Sequence, residues 1–339
     1  MKRRLGQHPD AALGAVLVAI GLALPLIVTS RHWHTTLINI LLFLIVSVSL
    51  RFIYLSGQLS FAHGAFMGIG AYLAGMGSKW LHLPAAATFI LGAVGAMVLG
   101  IITGYPFSRL RALYYGMATV FLGLGIVLFI STGGVWTGGA TGLSGIAGVF
   151  HGATRYYYFF LGLTTVSLLI MHRLEFSRIG TNFKAIAQSH LVAGSIGINE
   201  RQYRIVAVAI GCFFAGLAGA GYAHYNQILS PKSFDLTATL WILMYVLIGG
   251  IGSFWGPIVG TIMLLLIPEF FRKLGIYSPY VSGAVLLLVV YLLPQGLVGI
   301  PSLIRRLLAA RESEALVIAG VPEAPLAAET VTDGKESDQ

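Results

Sequence analysis

Apolar runs of about 17–25 residues recur along almost the whole chain. They fall at 11–29, 35–55, 59–78, 84–106, 113–131, 154–171, 205–226, 237–253, 256–271 and 279–296. Wound into a helix at about 1.5 Å per residue, a run of this length matches the hydrocarbon thickness of a bilayer. The pattern predicts an all-α fold: a polytopic transmembrane helical bundle of about ten spans. Composition supports the same class. Only 10% of the residues are charged and 57% are hydrophobic, whereas a water-facing domain carries about 25% charged residues to cover its surface.

The first run follows "MKRRLGQHPD". It is long for a signal-peptide core and no small-residue cleavage site follows, so a retained first span is expected. A single cysteine, Cys212, lies inside an apolar run. It excludes an internal disulfide and reads as a packed thiol. The net charge of +9 does not point to nucleic acid, because the basic residues are not gathered on one polar face. They sit in the gaps between apolar runs. With the N-terminus inside, every lysine and arginine except Arg31, Lys79, Arg155, Lys232, Arg272 and Lys273 falls on the inner side. Such a bias orients membrane proteins, and it places both termini in the cytoplasm.

The polar residues that remain are few, and their positions limit the chemistry. No GxxxxGK[ST] loop, HExxH, GxSxG or cysteine pair occurs, so no nucleotide cradle, catalytic residue, metal site or cofactor is expected. Asp10, Glu175, Glu200, Asp235 and Glu269 map to span ends or loops, and the other acidic residues follow Arg311. An ion-coupled secondary carrier, the alternative reading, needs an ionisable group within the membrane. Arg51 and His63 come nearest to one. The chain reads as a passage whose energy arrives from elsewhere.

One stretch, "GQLSFAHGAFMGIGAY" at 57–72, concentrates polar groups and glycine in an apolar setting. Helical spacing puts Gly64, Gly68, Ala71 and Gly75 on one small-residue face, a seam for close helix packing. Gln58, Ser60 and His63 need partners or water. They either bond neighbouring backbone or line a pathway, together with Gly64 and Gly68. The glycine-rich segments at 59–78 and 237–271 fit broken or re-entrant helices.

Two loops are long. The 131–155 segment, "STGGVWTGGATGLSGIAGVFHGATR", is either a flexible glycine linker or a substrate contact. Within 172–204, Phe183, Ile186, Ala187, His190, Leu191 and Gly194 recur at helical spacing, predicting a short surface helix that Thr181 caps. That helix either rests on lipid headgroups or fits a groove in a cytoplasmic partner. "GGIGSFWGPIVG" (249–260) reads as a tight interhelical turn with Pro257 opening the next helix. The acidic tail, 311–339, is expected to be disordered and solvated, leaving residues 1–310 as the membrane domain.

Taken in order, "SGQLSFAHGAFMGIGAY", "TGGATGLSGIAG", "SRIGTNFKAIAQSHLVAGSIGIN", "FAGLAGAGYAHY" and "LIGGIGSFWGPIVG" resemble the LivM-type permeases of branched-chain amino acid ABC importers. The resemblance runs from about residue 35 to 300. It implies a bacterial inner-membrane subunit that moves branched-chain amino acids or related small polar molecules. A LivH-type second permease, two cytoplasmic ATPase subunits and a periplasmic binding protein would be its partners, with membrane lipid around it. Such permeases dock on their ATPases through a loop resembling E-A-A-x-x-x-G. Aligned by its glycine, this chain has Leu191, Val192 and Ala193 followed by Gly197, without the glutamate, and His190 stands where an acidic residue is common. Lys184, Ala185, Ile186, Ser189, His190, Ala193, Gly197, Ile198 and Asn199 are the docking candidates. The implied mechanism is alternating access.

Overall fold

The computed structural model describes residues 7–27, 30–110, 112–150, 152–277, 280–281 and 283–284. The tail after residue 310, expected to be disordered, lies outside them. All described residues belong to one compact unit, Met1–Val298. The long apolar runs become helices, as backbone that leaves water must bond to itself. In order these are α1 (Gln7–Ile27), α2 (Arg31–Leu55), α3 (His63–Lys79), α4 (Ala85–Phe107) and α5 (Ala112–Thr132). They continue with α6 (Gly134–Thr137), α7 (Ala153–Glu175), α8 (Arg178–Gln188), α9 (His190–Ser195), α10 (Glu200–Asn226), α11 (Leu236–Gly249) and α12 (Trp255–Phe271).

Six helical stretches among the described residues are long and apolar enough to cross a membrane. They are Arg31–Leu55, Ala85–Phe107, Leu113–Thr132, Ala153–Glu175, Glu200–Asn226 and Pro231–Gly249. That is fewer than the ten runs of the sequence. Helices α3 and α12 have 17 residues each, and the apolar part of α1 is the short stretch Val16–Pro25. The run at 279–296 lies almost wholly outside the described residues. The 59–78 run is shortened because Gly57 takes a left-handed turn (φ +77°) and 58–62 stays non-helical; α3 starts only at His63.

Helices α2 and α10 form the centre. Buried residues occur on every side of α2 from Ile38 to Ile53, as expected of a helix that is apolar all round. α10 packs on α2, α3 and α4 through backbone contact that only small residues permit. A Cβ on Gly216 would stand 2.5 Å from the Gly92 carbonyl oxygen, and one on Gly100 2.7 Å from Cys212 Sγ. The lone thiol is thus a buried packing element, as read from the sequence. By contrast, α4 and α5 turn Ile90, Ile102, Phe121, Leu128 and Phe129 outward, an apolar surface suited to lipid or another membrane helix.

At one end, the 131–155 segment folds against the bundle. It carries α6, a 3₁₀ turn at Gly139–Thr141 and a two-residue strand, β1 (Leu143–Ser144). This strand pairs antiparallel with β2 (Ile228–Leu229), with Leu143 opposite Leu229 and Ser144 opposite Ile228. Gly142, at φ +87°, lies against the Leu229 carbonyl so closely that no side chain fits. The glycines here serve a tight ribbon. At the other end, α2 and α7 finish, α8 and α9 lie across, α10 begins, and the turn from α11 to α12 returns. Arg51, Arg178, Lys184, Arg201 and Arg204 belong to these segments, so this is the basic end.

Candidate functional site

The 57–72 stretch opens with the end of α2. Ser56 and Gly57 donate their amides to Ile53 and Tyr54 carbonyls at 3.1 and 2.9 Å, closing the helix before the chain turns inward. Gln58, Ser60 and His63 are all buried. Ser60 Oγ accepts from the Ala62 amide at 3.4 Å. Phe61 donates its amide to Thr119 Oγ1 of α5 at 3.0 Å. His63 Nε2 and Ser49 Oγ share a 2.8 Å hydrogen bond. Gly64 donates to Thr239 Oγ1 of α11 at 3.0 Å. Gln58 Oε1 is buried and makes no hydrogen bond among the described residues.

The expected small-residue face of α3 divides between two neighbours. Gly64 and Gly68 receive the segment leading into α11: a Cβ on Gly68 would stand 2.8 Å from Phe234 Cβ, and one on Gly64 3.1 Å from the Thr239 amide. Gly75 faces the β-ribbon through Leu143, Ile146 and Leu229. A different face carries the close packing on α10, with Gly70 against Gly216 and the Met67 carbonyl against Gly219. The sequence reading missed Ser49, Thr119 and Thr239 as the polar partners of this stretch. Each lies in an apolar run and bonds a residue distant in sequence, so no local pattern marks it.

The 172–204 segment holds two helices where one was expected. Ser177, not Thr181, caps α8, its Oγ accepting from the Ile179 amide at 3.2 Å. Ser189 adopts an extended conformation (φ −158°, ψ 110°) and caps α9, accepting from the Val192 amide at 3.4 Å. A serine that can cap a new helix competes with continuing the old one, and here the break wins. α9 closes in a Schellman motif: the Ile198 amide donates to Ala193 O and the Gly197 amide to Gly194 O, both at 3.0 Å. Gly197 occupies the left-handed position this motif requires, at φ +82°. Asn199 then caps α10, accepting from the Gln202 amide at 3.2 Å.

The nine docking candidates therefore separate. Ile186 and Ala193 are buried beneath the helices. Lys184 turns its ammonium onto Glu175, 2.9 Å away. Ser189, Gly197 and Asn199 shape the ends of α9 and the start of α10, while Ala185, His190 and Ile198 are partly exposed. The residues that project are Leu191, Val192 and Ile196, which are 74, 62 and 68% exposed. They make an exposed apolar patch on α9 and its C-cap, Ile196.

A buried ionic cluster lies where α2, α7 and α8 meet. Arg51 of α2, fully buried, grips the Glu175 carboxylate at the end of α7: Nη2 donates to Oε1 at 3.0 Å and Nη1 to Oε2. Its Nε donates to the Ile251 carbonyl in the α11–α12 turn at 2.8 Å. That turn is the tight one expected, with Gly250 at φ +108° and α12 beginning at Trp255, two residues ahead of Pro257. Among the described residues, no group of three His, Cys, Asp or Glu side chains could hold a metal ion.

A family described as branched-chain amino acid transport system, permease component, matches residues 34–294. The chain belongs to that family. Two similar proteins are the high-affinity branched-chain amino acid transport system permease proteins LivM of Escherichia coli K12 and of Salmonella typhimurium. Each is 26% identical to the permease, over 76 and 83% of this chain and 68 and 73% of theirs. The LivH permease protein of Escherichia coli K12 is 24% identical over 76% of this chain and 91% of its own. No solved structure matches the permease.

The permease is thus a LivM-type translocation subunit of an ABC transport system and not the catalytic one. The matched region takes in the 57–72 stretch, the ribbon, α8, α9, the ionic cluster and the α11–α12 turn. Everything the geometry singles out lies within it.

Proposed function

We propose that the permease carries branched-chain amino acids across a bacterial inner membrane as one of two unlike permease subunits of an ABC importer. The second is of the LivH type. Two ATPase subunits bind the basic end from the cytoplasm, and a periplasmic binding protein delivers substrate at the ribbon end. Both chain termini lie in the cytoplasm. This orientation follows from the arginines and lysines gathered at the basic end.

The observation that carries the reading is the apolar patch on α9. Leu191, Val192 and Ile196 project from a short helix closed at both ends by its own caps, the form of a helix that lays its apolar face in a groove. His190 and Ala185 flank the patch, and Ile186 and Ala193 seat it. ATP-driven closure of the ATPases would move α9, and the two permeases would rock around a shared path. Gln58, Ser60, His63, Gly64 and Gly68 line that path where α3 begins inside the bundle. Interrupted helices with freed polar groups mark substrate routes in transporters, and the unbonded Gln58 Oε1 supports this placement.

Reconstitution in proteoliposomes with both ATPases, the partner permease and the binding protein tests the reading. Leucine-loaded binding protein is expected to raise ATP hydrolysis and to drive leucine uptake. Stimulation only by binding protein loaded with urea or an aromatic acid would replace the substrate. Uptake by this chain alone, driven by a proton or sodium gradient, would replace the mechanism.

A further inference from the structure

We propose that Arg51, Glu175 and Lys184 are positioning residues that carry movement of the docking segment to the α11–α12 turn. The role rests on the importer reading above. Three separate pieces of the fold meet on one carboxylate, α7 through Glu175 itself, α2 through Arg51 and α8 through Lys184, and the bond from Arg51 Nε to Ile251 O ties in a fourth, the α11–α12 turn. All three guanidinium nitrogens of Arg51 are used, and Glu175 Oε1 accepts from both cations.

The two cations are not equivalent. Arg51 is fully buried and cannot leave its partner without stranding a charge out of water. Lys184 is 43% exposed on its side chain, with Nζ 5.2 Å from the centre of the Phe176 ring. Its ammonium can exchange Glu175 for water. The Arg51–Glu175 fork is therefore the fixed joint and the Lys184–Glu175 contact the one that can open. Opening that contact while the fork holds would give the cluster a second arrangement, the kind of two-state element that coupling between distant sites requires.

Each side of the joint is stiff enough to transmit. On the loop side, Phe183 is buried edge-on between Phe52 and Tyr203, and Gly180 packs directly on the Glu175 backbone. α8 therefore moves with the end of α7. On the far side, Gly249 lies against Gly256 and Gly260 in backbone contact, so a shift of Ile251 displaces α11 and α12 together. α11 begins beside Gly64, where Thr239 meets the start of α3. A push at α9 thus has a continuous route of packed backbone and ionic contact to the 57–64 segment.

The test uses the full reconstituted complex with leucine-loaded binding protein, comparing wild type with Lys184→Met, Lys184→Arg and Arg51→Lys. Three quantities are read: ATPase co-purification, thermal midpoint, and leucine taken up per ATP hydrolysed. Lys184→Met is expected to keep the ATPases bound and the midpoint unchanged. It should lower uptake per ATP by about fivefold or more, the low end for coupling between sites. Lys184→Arg should restore the ratio. Arg51→Lys keeps the charge but loses the fork on Glu175 and the Nε bond to Ile251, and it should lower the ratio as well. If that variant fails to fold, Lys184→Met still decides. Wild-type uptake per ATP in Lys184→Met would overturn the role, as would loss of the ATPases, which would make Lys184 a docking residue. A wild-type complex without ATP-driven uptake would overturn the importer reading and this role with it.

Discussion

Ser49 Oγ and His63 Nε2 lie 2.8 Å apart, joining the central helix α2 to the first residue of α3. Both side chains are fully buried, so the pair fixes where the chain re-enters the bundle after its break at Gly57. Ser49→Ala leaves the imidazole without this partner. Hydrogen bonds within membrane proteins contribute about 0.5–2 kcal/mol, and a loss in that range is expected. Thermal unfolding in detergent checks it; a midpoint equal to wild type would show that the imidazole finds another partner at no cost.

The contact of α10, α3 and α4 gives a sharper prediction, because it rests on shape alone. A Cβ on Gly92 would stand 2.6 Å from the Gly70 carbonyl oxygen, and backbone cannot swing aside as a side chain can. Gly92→Ala is expected to destabilise by about 1–3 kcal/mol, the usual cost of overpacking. Gly162→Ala is its control: that glycine is exposed on α7 and a Cβ there meets nothing within 4 Å. It should be neutral or stabilise by up to about 1 kcal/mol through helix propensity. Equal midpoints for the two variants would refute the close-packing account.

The sequence discloses most readily what depends on local chemistry. Uninterrupted apolar runs specify helices whatever surrounds them, which is why the run at 84–106 and α4 at Ala85–Phe107 nearly coincide. Ends set by caps are less visible in hydropathy. α10 starts five residues before its apolar run because Asn199 caps it and Glu200 occupies its first turn. The break at Ser189 is of the same kind, since one hydroxyl bond decides it against an amphipathic pattern that continues. Arg51 stands in a basic inner-end position by sequence, and nothing local says that its partner is Glu175, 124 residues away. Gly70 and Gly216 likewise become partners only when α3 and α10 are side by side.

The patch on α9 separates docking from folding. Leu191→Ser and Val192→Ser remove exposed apolar surface, so the free permease should keep its stability within about 0.5 kcal/mol. If the patch seats in an ATPase groove, each should weaken ATPase binding by about 10- to 30-fold, the range of a central apolar anchor. Ile186→Ser should behave oppositely. Its side chain is buried under α8, so it should lower the thermal midpoint of the permease itself. Wild-type ATPase affinity in both Leu191→Ser and Val192→Ser would move the docking surface elsewhere.

Removing one partner of the buried fork should cost far more than removing both. Glu175→Ala leaves the Arg51 guanidinium out of water with only the Ile251 carbonyl and no counter-charge, and stranded charges of this kind cost about 3–5 kcal/mol. Arg51→Met combined with Glu175→Leu takes away both charges and fills the space with apolar atoms. It leaves the Ile251 carbonyl without its donor, a penalty of about 1–3 kcal/mol, which is smaller than that of a bare cation. The double variant is therefore expected to unfold at a higher temperature than Glu175→Ala, although it has lost one more native side chain. In the reconstituted complex it should nonetheless resemble Lys184→Met, with poor uptake per ATP, because apolar side chains offer Lys184 no carboxylate and Ile251 no donor. A double variant less stable than Glu175→Ala would mean that charge is not what makes the single substitution costly.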